Sequence, residues 1–335
     1  MYREAAQAPD AVREQLQANA ARVARLGERL RRSPPRAVVT CARGSSDHAA
    51  TFARYLIETR LGLLTSSAAP SVSSIYEARP GLSGALVLAI SQSGASPDLL
   101  AFVSAARAAG AYIVALVNAQ ASPLAQLADD LIPLCAGVER SVAATKSYIA
   151  SLAAIVHLVA NWTRDVQLAA ALQQAPELLE RAWRLDWSAA VTHLAPANNL
   201  YVVGRGLGLA VAQEAALKLK ETCGLHAEAV SAAELRHGPM ALVRAGFPLL
   251  IFTQNDESRA GVAQLASELA AQGAEVLLAG GSAAGATLLP TEAAHPAIEP
   301  LLFAQSFYRM ANALSLARGA DPDRPPHLHK VTQTL

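Results

Sequence analysis

The stretch Leu86-Val87-Leu88-Ala89-Ile90-Ser91-Gln92-Ser93-Gly94-Ala95-Ser96-Pro97-Asp98 decides the fold. Its first five residues are apolar without alternation, which suits a strand buried on both faces, as in a parallel sheet. A serine- and glycine-rich turn follows. Ser96-Pro97-Asp98 then reads as a helix N-cap with proline at the first helical position. Strand, turn and helix in this order are the repeating parts of an α/β domain.

The same unit recurs upstream. Ala37-Val38-Val39-Thr40-Cys41 is a short β-branched run ending in Arg43-Gly44-Ser45-Ser46, and a helix is predicted from about Asp47 to Thr59. Tyr112 to Val117 and Leu131 to Leu134 predict further strands. Residues 1–32 predict a helix, with Leu16, Ala20, Val23, Leu26 and Leu30 at helical spacing and Pro34-Pro35 as the stop. The second half echoes the first. Arg43 and Arg205, and likewise Gln92 and Gln254, stand 162 positions apart, each pair in a matching strand-and-turn context. One offset at two landmarks predicts two copies of one α/β domain. The expected architecture is α/β, with two tandem doubly wound parallel sheets of flavodoxin-like three-layer form. Its expected parts are a helical segment 1–32, a first domain 33–164, a helical connector 165–195 anchored by Trp183 and Trp187, a second domain 196–320 and a tail 321–335.

Composition narrows the function classes. The chain has 335 residues, 52% hydrophobic and 16% charged, which fits a well-buried globular protein of two domains. A net charge of +1 gives no electrostatic reason to expect nucleic acid or an anionic membrane as partner. Cys41, Cys135 and Cys223 form no CxxC pair and no metal-ligand pattern, as expected for reduced thiols in a cytoplasm. Met1-Tyr2-Arg3-Glu4 shows no signal-peptide core, and the longest apolar run, Ile149 to Val159, contains His157 and is too short to span a bilayer. The expectation is a soluble cytoplasmic protein with no metal and no cofactor.

Two groups of residues suggest chemistry. In open parallel sheets ligands bind at the carboxyl ends of strands. Ser45 and Ser46, and Ser91, Gln92, Ser93 and Ser96, sit at such ends before helices, where hydroxyls and N–H groups suit an anion such as phosphate. Ordinary turn and cap chemistry favours the same residues. Neither loop contains lysine, and no GxxxxGK[ST] occurs. Gly204-Arg205-Gly206-Leu207-Gly208 departs from GxGxxG, because Leu209 stands where the last glycine belongs. Thr253-Gln254-Asn255-Asp256-Glu257, the second-half counterpart of the serine loop, carries acids that repel phosphate.

The other group is Lys218-Leu219-Lys220-Glu221, His226-Ala227-Glu228 and Glu234-Leu235-Arg236-His237-Gly238-Pro239. Lys218 and Glu221 share a helix face, and a carboxylate beside an ammonium suits proton transfer next to a carbonyl. With Glu214 four residues before Lys218, a surface ladder of ion pairs fits as well. His237 precedes a rigid Gly-Pro turn that can present an imidazole. Thr145-Lys146, after Glu139-Arg140-Ser141, reads as a helix start. By composition the Pro-rich tail from Asp321 to Lys330 reads as a loose end, and His327 and His329 have no further ligand for a metal nearby.

Together with Val142-Ala143-Ala144-Thr145-Lys146, Ala216 to Glu221, His226-Ala227-Glu228-Ala229 and the Asp-Arg-Pro…Lys330 tail, these motifs resemble the sugar-isomerase (SIS) double-domain family, in particular the isomerase half of glucosamine-6-phosphate synthase. The resemblance implies that Ser46, Ser91, Gln92, Ser93 and Ser96, with Ser45 beside them, hold the phosphate and nearby sugar hydroxyls. It implies that Glu139, Val142 and Ala144 line the sugar and that Lys330 lies over it. Glu221 would move a proton between C1 and C2, Lys218 would stabilise the enediol-like intermediate, and His237 would open the ring, reaching across a homodimer interface. Two departures stand out. Tyr2 follows Met1 where the synthase has a glutaminase domain opening on a catalytic cysteine, and Ala95 and Ala144 replace a usual Glu and Ser. The expected function is therefore an SIS-type glucosamine-6-phosphate deaminase. Alternatives are a glutamine-independent aminotransferase-like isomerase, a fructosamine-phosphate deglycase, an aldose–ketose isomerase, or a non-catalytic phosphosugar sensor. Sensors usually carry a helix-turn-helix module in front, for which residues 1–32 are too short.

Overall fold

The apolar runs become the strands of two all-parallel sheets in a computed structural model that describes residues 1–328 and 330. The first sheet contains β1 (Val38–Cys41), β2 (Thr65–Ser67), β3 (Leu86–Ser91), β4 (Tyr112–Val117) and β5 (Asp130–Pro133), in the spatial order β2-β1-β3-β4-β5. The second contains β6 (Asn199–Gly204), β7 (His226–Ser231), β8 (Pro248–Phe252), β9 (Glu275–Ala279) and β10 (Thr287–Leu289), in the order β10-β9-β8-β6-β7. Numbered within each sheet, both read 2-1-3-4-5, the flavodoxin-like order. In the first sheet, Leu86 of β3 stands opposite both Val38 and Tyr112.

The described chain forms two compact units that interleave in sequence. One comprises Asp10–Glu139 and Lys146–Gln173, with Lys330 from the tail. The other comprises Met1–Pro9, Arg140–Thr145 and Gln174–Leu328. Each has its own core. In the first, Val87 and Ala89 of β3 and Ile113 and Ala115 of β4 pack with Leu99, Phe102 and Val103 of the helix Pro97–Ala108. In the second, Tyr201, Val203, Leu249, Ile251 and Leu278 pack with Val262, Leu265 and Leu269 of the helix Arg259–Ala271. Full burial of each large apolar side chain contributes about 1.5–3 kcal/mol, which is why these unbroken apolar runs fix the sheets.

Three sequence expectations need correction. The helix expected over 1–32 is two helices, Tyr2–Ala5 and Ala8–Arg32, and the boundary between the units falls in the second, after Pro9. Pro9 sits in the first turn of the second, where its missing N–H costs nothing. Ala20 is exposed, and two polar residues take the buried stripe instead. Gln15 donates to the carbonyls of Leu134 and Ala150, and Asn19 to that of Pro133, so this helix is fastened to the end of β5 by hydrogen bonds. Finally, β2, β7, β9 and β10 were not legible as strands. The segment 165–195 contains the helices Val166–Gln173, Ala175–Arg184 and Ser188–Leu194. In it Trp187 donates its indole N–H to Pro290 at 2.8 Å, and Trp183 packs at 4.9 Å from the Tyr2 ring.

The run Ile149 to Val159 lies inside the buried helix Lys146–Thr163, and no helix among the described residues is long and apolar enough to cross a membrane. Burial pushes the His157 imidazole on this helix down from 6.5 to about 4. An unfolded chain binds that proton near 6.5, whereas the folded chain resists it until about 4. Stability is therefore lost as pH falls through this window, by about 3 kcal/mol at the low end. Urea titrations at pH 7 and pH 4.5 are expected to show the loss, and His157→Phe is expected to remove most of it.

Candidate active site

In the unit built on the first sheet, both serine turns lie where strands end and helices begin. After β1, Gly44 takes a positive φ of 55° and Ser45-Ser46 open the helix Ser45–Leu61. After β3, the buried Ser91 hydroxyl accepts the Gly94 N–H at 2.9 Å, and the Ser93 hydroxyl accepts the Ala95 N–H at 3.4 Å, which shapes the loop. Ser96 is extended at the N-cap of the helix Pro97–Ala108, but its hydroxyl does not cap that helix. Ser45, Ser46, Gln92, Ser93 and Ser96 are all half-buried. Gly94 is required twice over. Its φ is +62°, and a Cβ there would run into the Ser122 hydroxyl and come within 2.9 Å of Val117 Cγ2.

Glu139, in the same unit, is buried and accepts the Ser147 hydroxyl at 2.7 Å and the Ser147 N–H at 3.3 Å. The carboxylate thus sits at the positive end of the helix Lys146–Thr163. Lys330 Nζ lies 3.5 Å from Oε2, the oxygen that accepts the Ser147 hydroxyl. The tail therefore delivers Lys330 to Glu139, contrary to a loose end. Residues 329 and 331–335, including the expected His329, lie outside the described residues.

In the other unit, Val142 and the half-buried Ala144 lie on the segment 140–145. Glu4 accepts the N–H groups of Arg140 and Ser141, the latter at 3.2 Å. From the opposite direction, the Pro322 carbonyl accepts the Ser141 hydroxyl and the Asp323 carbonyl accepts the Val142 N–H, both at 3.5 Å.

The charged helix of this unit is Gly208–Cys223. Lys218 is only 1% exposed, with Nζ 2.6 Å from Glu221 and 3.4 Å from Glu214. Glu214 is equally buried and accepts the Tyr308 hydroxyl at 2.9 Å. A surface ion-pair ladder is thereby overturned. Burial, the largest single influence, pulls the Lys218 ammonium down, but the two carboxylates outweigh it and hold its pKa above the usual 10.5. Its pairing thus contributes fully at neutral pH and is lost as pH rises from the usual 10.5 through that raised value. Glu221 keeps 20% of its side chain exposed, so it is the member of the row that a ligand can reach. His237 is exposed at the end of the short 3₁₀ helix Glu234–His237, ahead of Gly238 at φ +134°. His226 and Glu228 form part of the edge strand β7 and are exposed there, so the charged run read from the sequence divides among three elements.

The second-sheet counterpart of the serine loop is filled by its own side chain. Gln254 is buried, donates to Asp256 Oδ2 at 2.6 Å, and lies where a Cβ on Gly208 would stand 2.5 Å from its Oε1. An amide, in addition to the acids, thus covers the start of the helix Gly208–Cys223. Sequence reasoning missed Tyr308, Ser147 and Glu4, which no local pattern announces. It passed over Arg43 and Asp98, which flank the serine turns and pair with each other at 2.7 Å. Among the described residues, no group of three or more His, Cys, Asp or Glu could hold a metal ion.

Two parallel sheets of one strand order, with serine turns at the carboxyl edge of one and a carboxylate–ammonium–carboxylate row in the unit of the other, define a two-domain α/β protein of flavodoxin-like type. The chain belongs to the SIS domain family, whose model matches residues 33–161 and 193–283. It is 35% identical over 311 residues to the glutamine–fructose-6-phosphate aminotransferase (isomerizing) of Aeropyrum pernix, covering 86% of this chain and 49% of that protein. The chain thus spans about half the length of the curated relatives it matches. A candidate phosphosugar isomerase from Silicibacter pomeroyi DSS-3 has a crystal structure with a TM-score of 0.93 and 45% identity, covering 96% of this chain and 99% of that one. The C-terminal domain of glucosamine-fructose-6-phosphate aminotransferase from Francisella tularensis gives a TM-score of 0.88 at 26% identity, covering 97% and 98%.

Two stability effects follow from this geometry. Lys218→Met leaves Glu214 buried without its cation and is expected to cost about 3–5 kcal/mol in urea unfolding. Gly94→Ala combines a left-handed backbone with overpacking and is expected to cost about 2–4 kcal/mol in the same measurement.

Proposed function

We propose that this protein is a phosphosugar enzyme that moves a proton between C1 and C2 of a hexose 6-phosphate, with glucosamine 6-phosphate deamination as its reaction. The observation that carries the reading is the partly exposed Glu221 carboxylate backed by a buried ammonium at 2.6 Å. The relatives' names supply the substrate class, since they are fructose-6-phosphate aminotransferases of the isomerizing kind.

In the proposed reaction the serine turns hold the phosphate and His237, from a second protomer of a homodimer, opens the ring. Glu221 takes the C2 proton of the open-chain aldehyde, giving an enolamine, and returns it to C1 while O1 is protonated. C1 becomes a CH2OH group and C2 an iminium. Water adds to C2 and ammonia leaves, so glucosamine 6-phosphate and water yield fructose 6-phosphate and ammonia. Charge on O1 in the enolamine calls for a nearby cation. Lys330, a quarter exposed, suits that task better than the enclosed Lys218. Lys218 then acts through Glu221 as a positioning residue, with Glu214 and Tyr308 behind it. Glu139, Val142 and Ala144 border the sugar.

The test is release of ammonia and fructose 6-phosphate from glucosamine 6-phosphate without glutamine. Equal amounts of both are expected. Glu221→Gln is expected to lower kcat by about 10²–10⁴ while leaving substrate binding near its original strength. Turnover of fructose 6-phosphate or of a glycated amine phosphate alone would move the protein to an isomerase or deglycase. Tight sugar-phosphate binding without turnover would make it a sensor.

A further inference from the structure

The serine turns offer hydroxyls and N–H groups but contain no lysine, so a dianion held there lacks a full counter-charge from the turns themselves. One cation stands beside both. Arg43 lies between β1 and Ser45, and its Nε and Nη2 are 2.8 and 2.7 Å from Asp98 Oδ2, two residues beyond Ser96. The pair joins the loop after β1 to the first turn of the helix after β3.

The two partners are placed very differently. The Asp98 side chain is 1% exposed and its other oxygen accepts the Leu99 N–H at 2.8 Å, so the acid is fixed from inside. The Arg43 side chain is 49% exposed. Asp98 takes the Nε and Nη2 edge of the guanidinium and leaves Nη1 uncommitted to that carboxylate. Asp47, in the first turn of the helix Ser45–Leu61, also feels the Arg43 charge. A planar guanidinium held along one edge has its remaining N–H groups pointed in a fixed direction, which matches the oxygens of a phosphate better than a mobile ammonium would.

Resting on the phosphosugar reading above, we propose that Arg43 is the counter-cation of the anion site, donating from Nη1 to a phosphate oxygen of the ligand held by the serine turns, with Asp98 as the residue that orients it. The competing account is that the pair only staples two loops together.

Calorimetric titration of the full chain with inorganic phosphate separates the two, using wild type, Arg43→Gln and Arg43→Lys, with thermal midpoints measured alongside. Arg43→Gln is expected to weaken phosphate binding at least tenfold and to flatten its dependence on salt. Arg43→Lys, which keeps the charge but not the planar fork, is expected to fall between wild type and Arg43→Gln. Equal binding by wild type and Arg43→Gln, or by wild type and Arg43→Lys, would overturn the proposal. Should Arg43→Gln not fold, the lysine variant decides alone: weaker phosphate binding than wild type supports the proposal and equal binding overturns it. Wild type that binds no phosphate at all overturns the proposal together with the anion site. Phosphate binding that depends on Arg43, in a protein that turns over no sugar phosphate, supports the proposal and removes only the enzyme reading.

Discussion

Every strand pair in both sheets is parallel, and that constraint orders nearly everything else. Parallel neighbours cannot be joined by a tight turn, so each connection must cross back over a face of the sheet, usually as a helix. Helices on both faces then bury the strands completely, which demands runs such as Leu86 to Ile90 with no polar side. The same geometry puts every strand-to-helix turn at one edge of its sheet. In the first sheet the turns after β1 and β3 carry the serines; in the second, the turn after β8 carries Gln254. One backbone plan thus yields a serine-lined edge in one case and a self-filled edge in the other, and the difference rests on a few side chains.

Charge is handled differently on the helix Gly208–Cys223. Enclosing an ammonium and a carboxylate costs several kcal/mol each unless they pair with good geometry. Lys218 meets this condition by lying between Glu214 and Glu221, while Tyr308 satisfies Glu214 from another helix. Such a row fixes the rotamer of every member, so Glu221 meets solvent in a set position. A surface pair of the same residues would not restrain it in this way.

The sheets were readable from sequence because the buried strands need unbroken apolar runs, and β1, β3, β4, β6 and β8 have them. The strands that escaped notice are short or lie at or near an edge. β2 is Thr65–Ser67, and β7 alternates exposed His226 and Glu228 with buried residues. Its charges looked like site chemistry because an edge strand and a functional loop share a mixed composition. The periodicity over 1–32 announces a helix, but not the break at residues 6–7 or the burial of Gln15 and Asn19, since a buried amide is tolerated only by carbonyl partners distant in sequence. The serine turns and the Lys218–Glu221 spacing were local patterns and therefore legible. The partners Tyr308, Ser147 and Glu4 lie on other elements or outside any motif, and only tertiary structure joins them to the residues they serve.

The segment 140–142 is gripped from two sides, by Glu4 near the start of the chain and by the carbonyls of Pro322 and Asp323 near its end. During synthesis those partners emerge far apart in time. The strands of the first sheet have all left the ribosome once residue 133 is free, whereas this grip must wait until residue 323 has emerged. The segment that carries Val142 and Ala144 can thus be fastened from both sides only after residue 323 has been made. A truncated or stalled chain would hold a completed first sheet and yet leave that segment unfastened.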